Sequence, residues 1–252
     1  MFLAFQASRA WWGDAARMKP DISKSTRTEG LILLAYFGVY ILYLFARPEG
    51  EVAHWFTLVV FPLAAIAFLR RSKTRAWSGA LVSTGLCRPP TMSSVTLGVI
   101  VAVGLGWVQL HSRNGAAIRE MFVSGKALWL LPTSFFLMLV TAATTEELFF
   151  RGLLQTRLQD LLRSRVGAIA VTAVLFSLYH VPYAYWKPGW GAAGDWFAAT
   201  RAAFETGLPL GVILGTVFLL GRGSLAAPVL THAMINALPG MVLVERILVP
   251  TG

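Results

Sequence analysis

Charged side chains are scarce in this sequence. Asp, Glu, Lys and Arg make up 13% of its 252 residues, about half of the fraction that soluble domains carry. Hydrophobic residues reach 56%, and the mean hydropathy is +0.63. The shortage of charge argues against a soluble enzyme and predicts an integral membrane protein.

Cysteine and acidic residues are also few. The single cysteine, Cys87, excludes an internal disulfide and a metal cluster built on cysteines. The sequence has only 12 acidic residues against 22 basic ones, which gives a formal net charge of +10. In a membrane protein we attribute this excess to cytoplasmic loops beside membrane lipid, and we expect no nucleic-acid partner. The first long apolar run begins near Gly30, so no cleaved signal peptide is expected.

Seven apolar runs are long enough, or nearly long enough, to cross a membrane as helices, which takes about 20 residues. They lie at about 30–46, 53–69, 94–111, 127–145, 166–182, 207–221 and 224–248. The pattern predicts an all-α, polytopic membrane protein with about seven transmembrane helices. We divide it into a cytoplasmic or interfacial segment, residues 1–29, and a transmembrane helical domain, residues 30–252.

Basic residues are concentrated in alternate loops, which predicts a cytoplasmic N-terminus and, with seven spans, an external C-terminus. Two connecting segments are also assigned. "YAYWKPGWGAAGDWFAATRAAFE" is expected to be a tryptophan-rich interfacial loop, and "GLLQTRLQDLLRSR" an amphipathic helix on the cytoplasmic surface. Gly211 and Gly215 form a small-xxx-small pattern that predicts a close helix contact.

Ionisable side chains inside apolar runs are costly and therefore mark functional candidates. They are Glu146, Glu147 and Arg151 in the fourth run, His180 in the fifth, and His232 with the amide Asn236 in the seventh. Glu147 and Arg151 are four residues apart, share a helix face and can pair. Glu146 is turned away from that pair by about 100°. His54 and His111 are interpreted as interfacial residues at the ends of runs.

Three helices could thus bring together one carboxylate, two imidazoles and one amide. A carboxylate beside an imidazole can activate water, and a second imidazole with an amide can stabilise an oxyanion. Together they would hydrolyse a peptide bond without a covalent intermediate. Glu146, His180 and His232 could instead bind zinc, although no His-Glu-x-x-His helix is present. A non-enzymatic transporter or binding scaffold is the remaining alternative, and the absence of an internal repeat disfavours a transporter.

The ordered motifs resemble those of the CAAX-protease and bacteriocin-processing (CPBP, or Abi) family of intramembrane proteases. That family has Glu-Glu-x-x-x-Arg, Phe-x-x-x-His and His-x-x-x-Asn on successive membrane helices. Here "EELFFR", "FSLYH" and "HAMIN" match them, the second through Phe176 and His180. The resemblance covers roughly residues 127–240 and implies a polar cavity open to the cytoplasm.

The resemblance also implies a role for each residue. Glu146 would activate water with the help of His180, and His232 with Asn236 would form the oxyanion site. The remaining motif residues would support the site structurally; they are Glu147, Arg151 and Phe176. We expect a metal-free glutamate mechanism without a cofactor, and zinc held by the three candidate ligands is the alternative.

The substrate is implied only as a class: a membrane-anchored or lipidated protein or peptide, cut by an endopeptidase. Members of the family remove the CAAX tripeptide of prenylated proteins, mature bacteriocins or trim C-terminal sorting tails, and nothing in the sequence chooses among these. We place the protein in the membrane, and in the inner, cytoplasmic membrane if it is bacterial.

The depths of two candidates conflict in this scheme. Glu146 ends the fourth run at its cytoplasmic end, whereas His180, counted from Val166 at about 1.5 Å per residue, lies much deeper. The two side chains can meet only if their helices are offset, and we expect such an offset.

Overall fold

The computed structural model describes residues 24–46, 83–112, 115–186 and 192–248. Within these ranges all regular structure is helical and no strand occurs, which confirms the all-α fold. The helices whose two ends are described are labelled α1 (Lys24–Ala46), α2 (Met92–His111), α3 (Gly115–Val123), α4 (Ala127–Leu162), α5 (Arg165–Trp186), α6 (Trp196–Leu220) and α7 (Ala226–Leu248).

Six of these helices are long and apolar enough to cross a membrane, and the short α3 is the exception. They correspond to the predicted runs at 30–46, 94–111, 127–145, 166–182, 207–221 and 224–248. A polytopic helical membrane protein is therefore confirmed. The predicted run at 53–69 and most of the segment 1–29 lie outside the described residues, so the total of seven spans stays a prediction.

The interfacial loop predicted before the sixth run is wrong for residues 196–206, because α6 already begins at Trp196. Asp195 caps this helix by accepting hydrogen bonds from the backbone N–H groups of Phe197 and Ala198, as helix-capping aspartates do. The ring of Trp196 stacks on Tyr185 with 3.6 Å between centroids, and 40% of the residue remains exposed. Asp195 before an alanine-rich segment was a sequence signal for the start of a helix. It was overlooked because the tryptophans suggested an interfacial loop.

A second correction concerns α4, which is one helix of 36 residues rather than a span ending at 145 and a separate amphipathic connector. Two π-helical stretches, Leu139–Ala143 and Leu148–Gln155, flank a short α-helical turn, Thr144–Glu147. Leu154 and Leu158 belong to the buried core shared with α1 and α5. These two leucines thus face protein rather than the membrane surface, whereas Leu162 at the end of the helix is exposed.

Helices α5 and α6 pack side by side with little space between their backbones. A Cβ atom added at Gly211 would lie 2.7 Å from the Cα of Ala173, and one at Gly215 would lie 3.3 Å from Ile169. The predicted close contact is therefore confirmed, and Gly207 extends it by one more turn. From one contact to the next, the residue number rises by four in α6 and falls by four in α5. The two helices are therefore antiparallel in a constant register.

The length of α4 resolves the conflict of depth between the two candidate residues. The tight turn between α4 and α5 is centred on Arg163, whose φ is 53°. Glu146 lies as many residues before Arg163 as His180 lies after it. Because the two helices run antiparallel from this turn, both residues reach a similar height in the bundle.

Candidate active site

The acidic pair occupies the α-helical turn between the two π-helical stretches of α4. Single π turns inside α-helices change the angular position of the side chains that follow, and they are frequent at functional sites. Glu146 and Glu147 are both buried here. The local irregularity therefore coincides with the motif that the sequence singled out.

Glu147 pairs with Arg151, as its spacing predicted. Oε2 of Glu147 lies 3.1 Å from Nε of Arg151, and both side chains are fully buried. The contact is close but not aligned as a hydrogen bond. The guanidinium also donates to the carbonyl of Gly211 at 3.3 Å and lies 4.7 Å from the ring centroid of Phe176. A carboxylate, a carbonyl and an aromatic face together compensate the buried charge.

Glu147 has a second partner on another helix, which the sequence did not predict. Its Oε1 lies 2.8 Å from Nδ1 of His232 on α7. The assignment of Glu147 to Arg151 alone was therefore incomplete. This carboxylate joins α4 to α7 and holds the imidazole by one nitrogen.

Glu146 differs from its neighbour in the distance to its nearest charged group. Oε2 of both acids lacks a hydrogen bond within the described residues, but that of Glu147 lies 3.1 Å from Nε of Arg151. Oε2 of Glu146 is also buried, and it lies 3.9 Å from Nε2 of His232, which exceeds a hydrogen-bond distance. The side chain of Glu146 keeps 11% of its exposure, whereas Glu147 keeps none. The less enclosed of the two acids is thus the one without a close partner.

His180 lies on the other side of Phe176. The ring centroid of Phe176 is 4.5 Å from that of His180 and 6.0 Å from that of His232. Nδ1 of His180 is 2.7 Å from the carbonyl oxygen of Phe176. Since a carbonyl can only accept, Nδ1 carries a proton, and Nε2 of the neutral ring is an acceptor. The imidazoles therefore converge on one aromatic ring, and Glu146 is near the ring of His232.

Asn236 lies one turn after His232 on α7 and is half-buried. Its side-chain amide makes no hydrogen bond within the described ranges. Both of its amide hydrogens are therefore available to a bound group, as an oxyanion donor requires.

Two groups of neighbours were missed by sequence reasoning. The ring of Tyr179 lies 5.0 Å from that of His180, and its hydroxyl is 3.4 Å from that of Tyr183. Gln155 lies one turn after Arg151 on α4 and makes an equivalent hydrogen bond to α6: its side-chain amide donates to the carbonyl of Gly215 at 3.2 Å. The four-residue spacing of these side chains was visible in the sequence, but their partners on other helices were not.

A zinc site would require Glu146, His180 and His232 to converge. In the described part of the chain, no three His, Cys, Asp or Glu side chains are grouped so that they could hold a metal ion. Phe176 lies beside both imidazoles, and one nitrogen of His232 is bound to Glu147. The three candidate ligands are thus not grouped as a metal site in this part of the chain, and no chemical step is assigned to a metal.

Part of the chain, residues 127–238, can be compared with a known protein family. Residues 127–238 match the family described as type II CAAX prenyl endopeptidase Rce1-like. This segment is similar to that family. It extends from the start of α4 into α7 and includes every candidate residue, so the resemblance seen in the three motifs is confirmed over these residues.

The Rce1-like segment is somewhat less than half of the chain. At the family level it supports an intramembrane protease of the CAAX type, which is a hydrolase with a membrane-associated protein or peptide as substrate. No curated protein and no solved structure matches the chain.

Proposed function

We propose that this protein is an intramembrane endopeptidase that hydrolyses a peptide bond of a membrane-anchored or lipidated protein or peptide, using water activated by Glu146. One observation carries the proposal. Within an Rce1-like segment, a buried carboxylate oxygen of Glu146 has no hydrogen-bond partner and lies 3.9 Å from Nε2 of His232. An unsatisfied buried acceptor is costly, so it indicates a place where a reacting molecule binds.

Charge balance assigns His232 as a hydrogen-bond donor. Two buried carboxylates, Glu146 and Glu147, face the single guanidinium of Arg151. A buried cluster favours neutrality, which a positively charged His232 provides. Its Nδ1–H then donates to Glu147, and its Nε2–H points towards the gap beside Glu146. The donor is fixed before substrate binds, as oxyanion stabilisation requires.

His180 has the complementary property. Its Nδ1–H donates to the carbonyl of Phe176, so Nε2 is the nitrogen that would accept a hydrogen of the attacking water. Glu146 and His180 would then orient the same water molecule from two sides. This pairing stays a proposal that rests on the similar heights of the two residues in the bundle.

The reaction follows from these assignments. Glu146 removes a proton from water while the water oxygen attacks the peptide carbonyl carbon. The negative charge that develops on the carbonyl oxygen is stabilised by Nε2–H of His232 and the amide of Asn236. Glu146 then returns the proton to the departing nitrogen, and the carbon–nitrogen bond breaks. A carboxylic acid and an amine are formed, and transfer of the acid's proton to the amine gives a carboxylate and an ammonium group. Every proton and electron pair is accounted for without a covalent intermediate.

The remaining motif residues keep this geometry. Glu147 holds His232 at Nδ1, and Arg151 neutralises Glu147 and ties α4 to α6 through the carbonyl of Gly211. Phe176 packs against the guanidinium and both imidazoles. We therefore keep these residues as structural support rather than as reacting groups.

Cleavage by purified, reconstituted protein tests the proposal. The substrates would be lipidated peptides and peptides with one membrane-spanning helix, each carrying a C-terminal reporter. Glu146→Gln should lower the cleavage rate by roughly 10²–10⁴-fold, because the amide cannot take a proton. The matched control is Glu205→Gln, which changes an exposed acid on α6 paired with Arg201 at 2.7 Å and should cleave normally. Equal rates in wild type and Glu146→Gln would remove the assigned base.

Metal dependence is tested in the same assay. We expect cleavage to survive chelation, with no stoichiometric zinc in the purified protein. Activity that disappears with the chelator and returns with added zinc would overturn the metal-free mechanism. A folded wild-type protein that cleaves no substrate of either class would favour the alternative of a non-enzymatic transporter or binding scaffold.

A further inference from the structure

The two helical turns at one end of the bundle lie at the same level. The register that places Gly215 beside Ile169 also places Leu219, next to the end of α6, beside Arg165 at the start of α5. The α4–α5 turn and the α6–α7 turn are therefore neighbours. Since these four helices are each part of a span long enough to cross a membrane, their turns lie where lipid headgroups begin.

Arginines without partners gather at this end. Arg163 and Arg222 are exposed and Arg165 is half-exposed; within the ranges that the structure describes, their guanidinium groups make no hydrogen bond or ion pair. Arg88 joins them, because its guanidinium donates to the carbonyl of Arg222 at 3.2 Å. We call these four residues the arginine face.

The nearby acids do not neutralise the arginine face. Glu29 is buried and pairs with the buried Arg157 at 3.4 Å. Asp160 has an interaction of its own. Among the residues that the structure describes, no acid forms an ion pair with the arginine face.

The opposite end of the bundle is different. There Lys126 pairs with Glu245 at 2.6 Å, Arg201 pairs with Glu205 at 2.7 Å, and Arg119 donates to the carbonyl of Leu110. Arg246, near the end of α7, is exposed and has no hydrogen bond or ion pair in the part of the chain that the structure describes. Among the described residues, arginines without an acidic partner are therefore more numerous at the arginine face than at the opposite end.

The backbone of the two turns adds an independent observation. Arg163 and Arg222, with φ of 53° and 55°, are the non-glycine residues with positive φ in the described chain. Each follows the end of a helix, at a position where glycine or asparagine is usual because a side chain is strained there. Helix-dipole compensation is available to an arginine in the last helical turn without that strain. Arginine at both strained positions indicates that the side chain itself is used.

We propose that the arginine face binds the anionic headgroups of phospholipids in the adjacent leaflet. Guanidinium groups bind phosphate through paired hydrogen bonds, and a membrane surface supplies phosphodiesters at the depth of these turns. Each basic residue near an anionic surface strengthens binding about fivefold. The proposal rests on the membrane-crossing helices and on the arginines, and it does not depend on the proposed protease activity.

The full-length protein in neutral detergent would be titrated with dioctanoyl phosphatidylglycerol, and binding would be followed by tryptophan fluorescence. The double variant Arg163→Gly/Arg222→Gly should bind this lipid about 30-fold more weakly, which is about fivefold for each arginine. Its Tm without lipid should be unchanged or higher, because glycine tolerates positive φ. Arg163→Asn/Arg222→Asn, which also tolerates that conformation, should show the same loss.

The matched control removes two arginines from the opposite end. Arg119→Ala/Arg201→Ala changes the net charge equally and should bind the anionic lipid as wild type does. Dioctanoyl phosphatidylcholine and inorganic phosphate should give no comparable signal at the same concentrations. Undiminished binding by both turn variants, an equal loss in the control, or an equal response to phosphatidylcholine or to inorganic phosphate would each overturn the proposal.

Discussion

Two adjacent glutamates differ in environment at the scale of single residues. Glu147 has a partner for each oxygen, Arg151 within its own helix and His232 on α7. Glu146 has an oxygen that is buried but unsatisfied. Glu147 is therefore placed to stabilise the bundle, and Glu146 is the acid that we propose as the general base.

Substitution at these two positions should separate the two effects. Glu147→Gln leaves the buried Arg151 without its counter-charge and should lower the free energy of unfolding by about 3–5 kcal/mol. Adding Arg151→Met should recover part of that loss, because the unpaired charge is then removed. Glu146→Gln should change stability little. Thermal unfolding of the four proteins in one detergent measures this, and equal destabilisation by Glu146→Gln and Glu147→Gln would contradict it.

At the scale of helices, the close contact of α5 and α6 positions the site. Arg151 on α4 donates to the carbonyl of Gly211, and this glycine also has the closest backbone approach to Ala173. The same residue therefore packs the two helices and accepts a hydrogen bond from the support of the acid pair. A change in the spacing of α5 and α6 should therefore shift Arg151 and, through it, the ion pair with Glu147.

Gly211→Ala tests this coupling. Its Cβ atom would lie 2.7 Å from the Cα of Ala173, so the backbones must separate, which should cost about 1–3 kcal/mol. The control is Gly104→Ala on α2, where nothing lies within 4 Å of the added atom and where the better helix propensity of alanine should leave stability equal or slightly higher. The measurement is the Tm of each variant. An unchanged Tm in Gly211→Ala would show that α5 and α6 can move apart without a loss of stability.

At the scale of the whole molecule, the distribution of charge bears on orientation. Lys and Arg excess on one side of a membrane protein faces the cytoplasm. The end with the arginine face is the end that we predict to be cytoplasmic, and the single cysteine lies on it, exposed, in the segment before α2. The natural sequence thus contains one reporter of its own topology.

Labelling of Cys87 tests the predicted orientation. A membrane-impermeant maleimide should leave it unlabelled in intact cells and should label it in inside-out vesicles. The matched control, Cys87→Ser with Ala193→Cys, moves the thiol to the exposed connection between α5 and α6 and should give the reverse pattern. If the native thiol were labelled in intact cells, the predicted cytoplasmic N-terminus would be wrong.

Local spacing predicted part of the site correctly. The Glu147–Arg151 pair and the contact through Gly211 could be predicted from the sequence, because each depends on a spacing of four residues along one helix. The start of α6 was missed because tryptophans suggested an interface, although Asp195 was present as a capping residue. The length of α4 was missed because the leucines of 152–165 have the same spacing whether they face protein or a membrane surface.

Composition and periodicity by themselves determined that this chain is a helical membrane protein, and the motifs indicated the similarity of residues 127–238 to the Rce1-like family, because these properties depend on residues close together in sequence. Only the tertiary structure decided that Glu147 binds His232, that Phe176 packs beside both imidazoles, and that an oxygen of Glu146 makes no hydrogen bond within the described residues. Those contacts depend on the register of α4, α5 and α7 and on the π turns that rotate the acid pair. A pattern along one helix contains no information about which side chain another helix brings opposite to it.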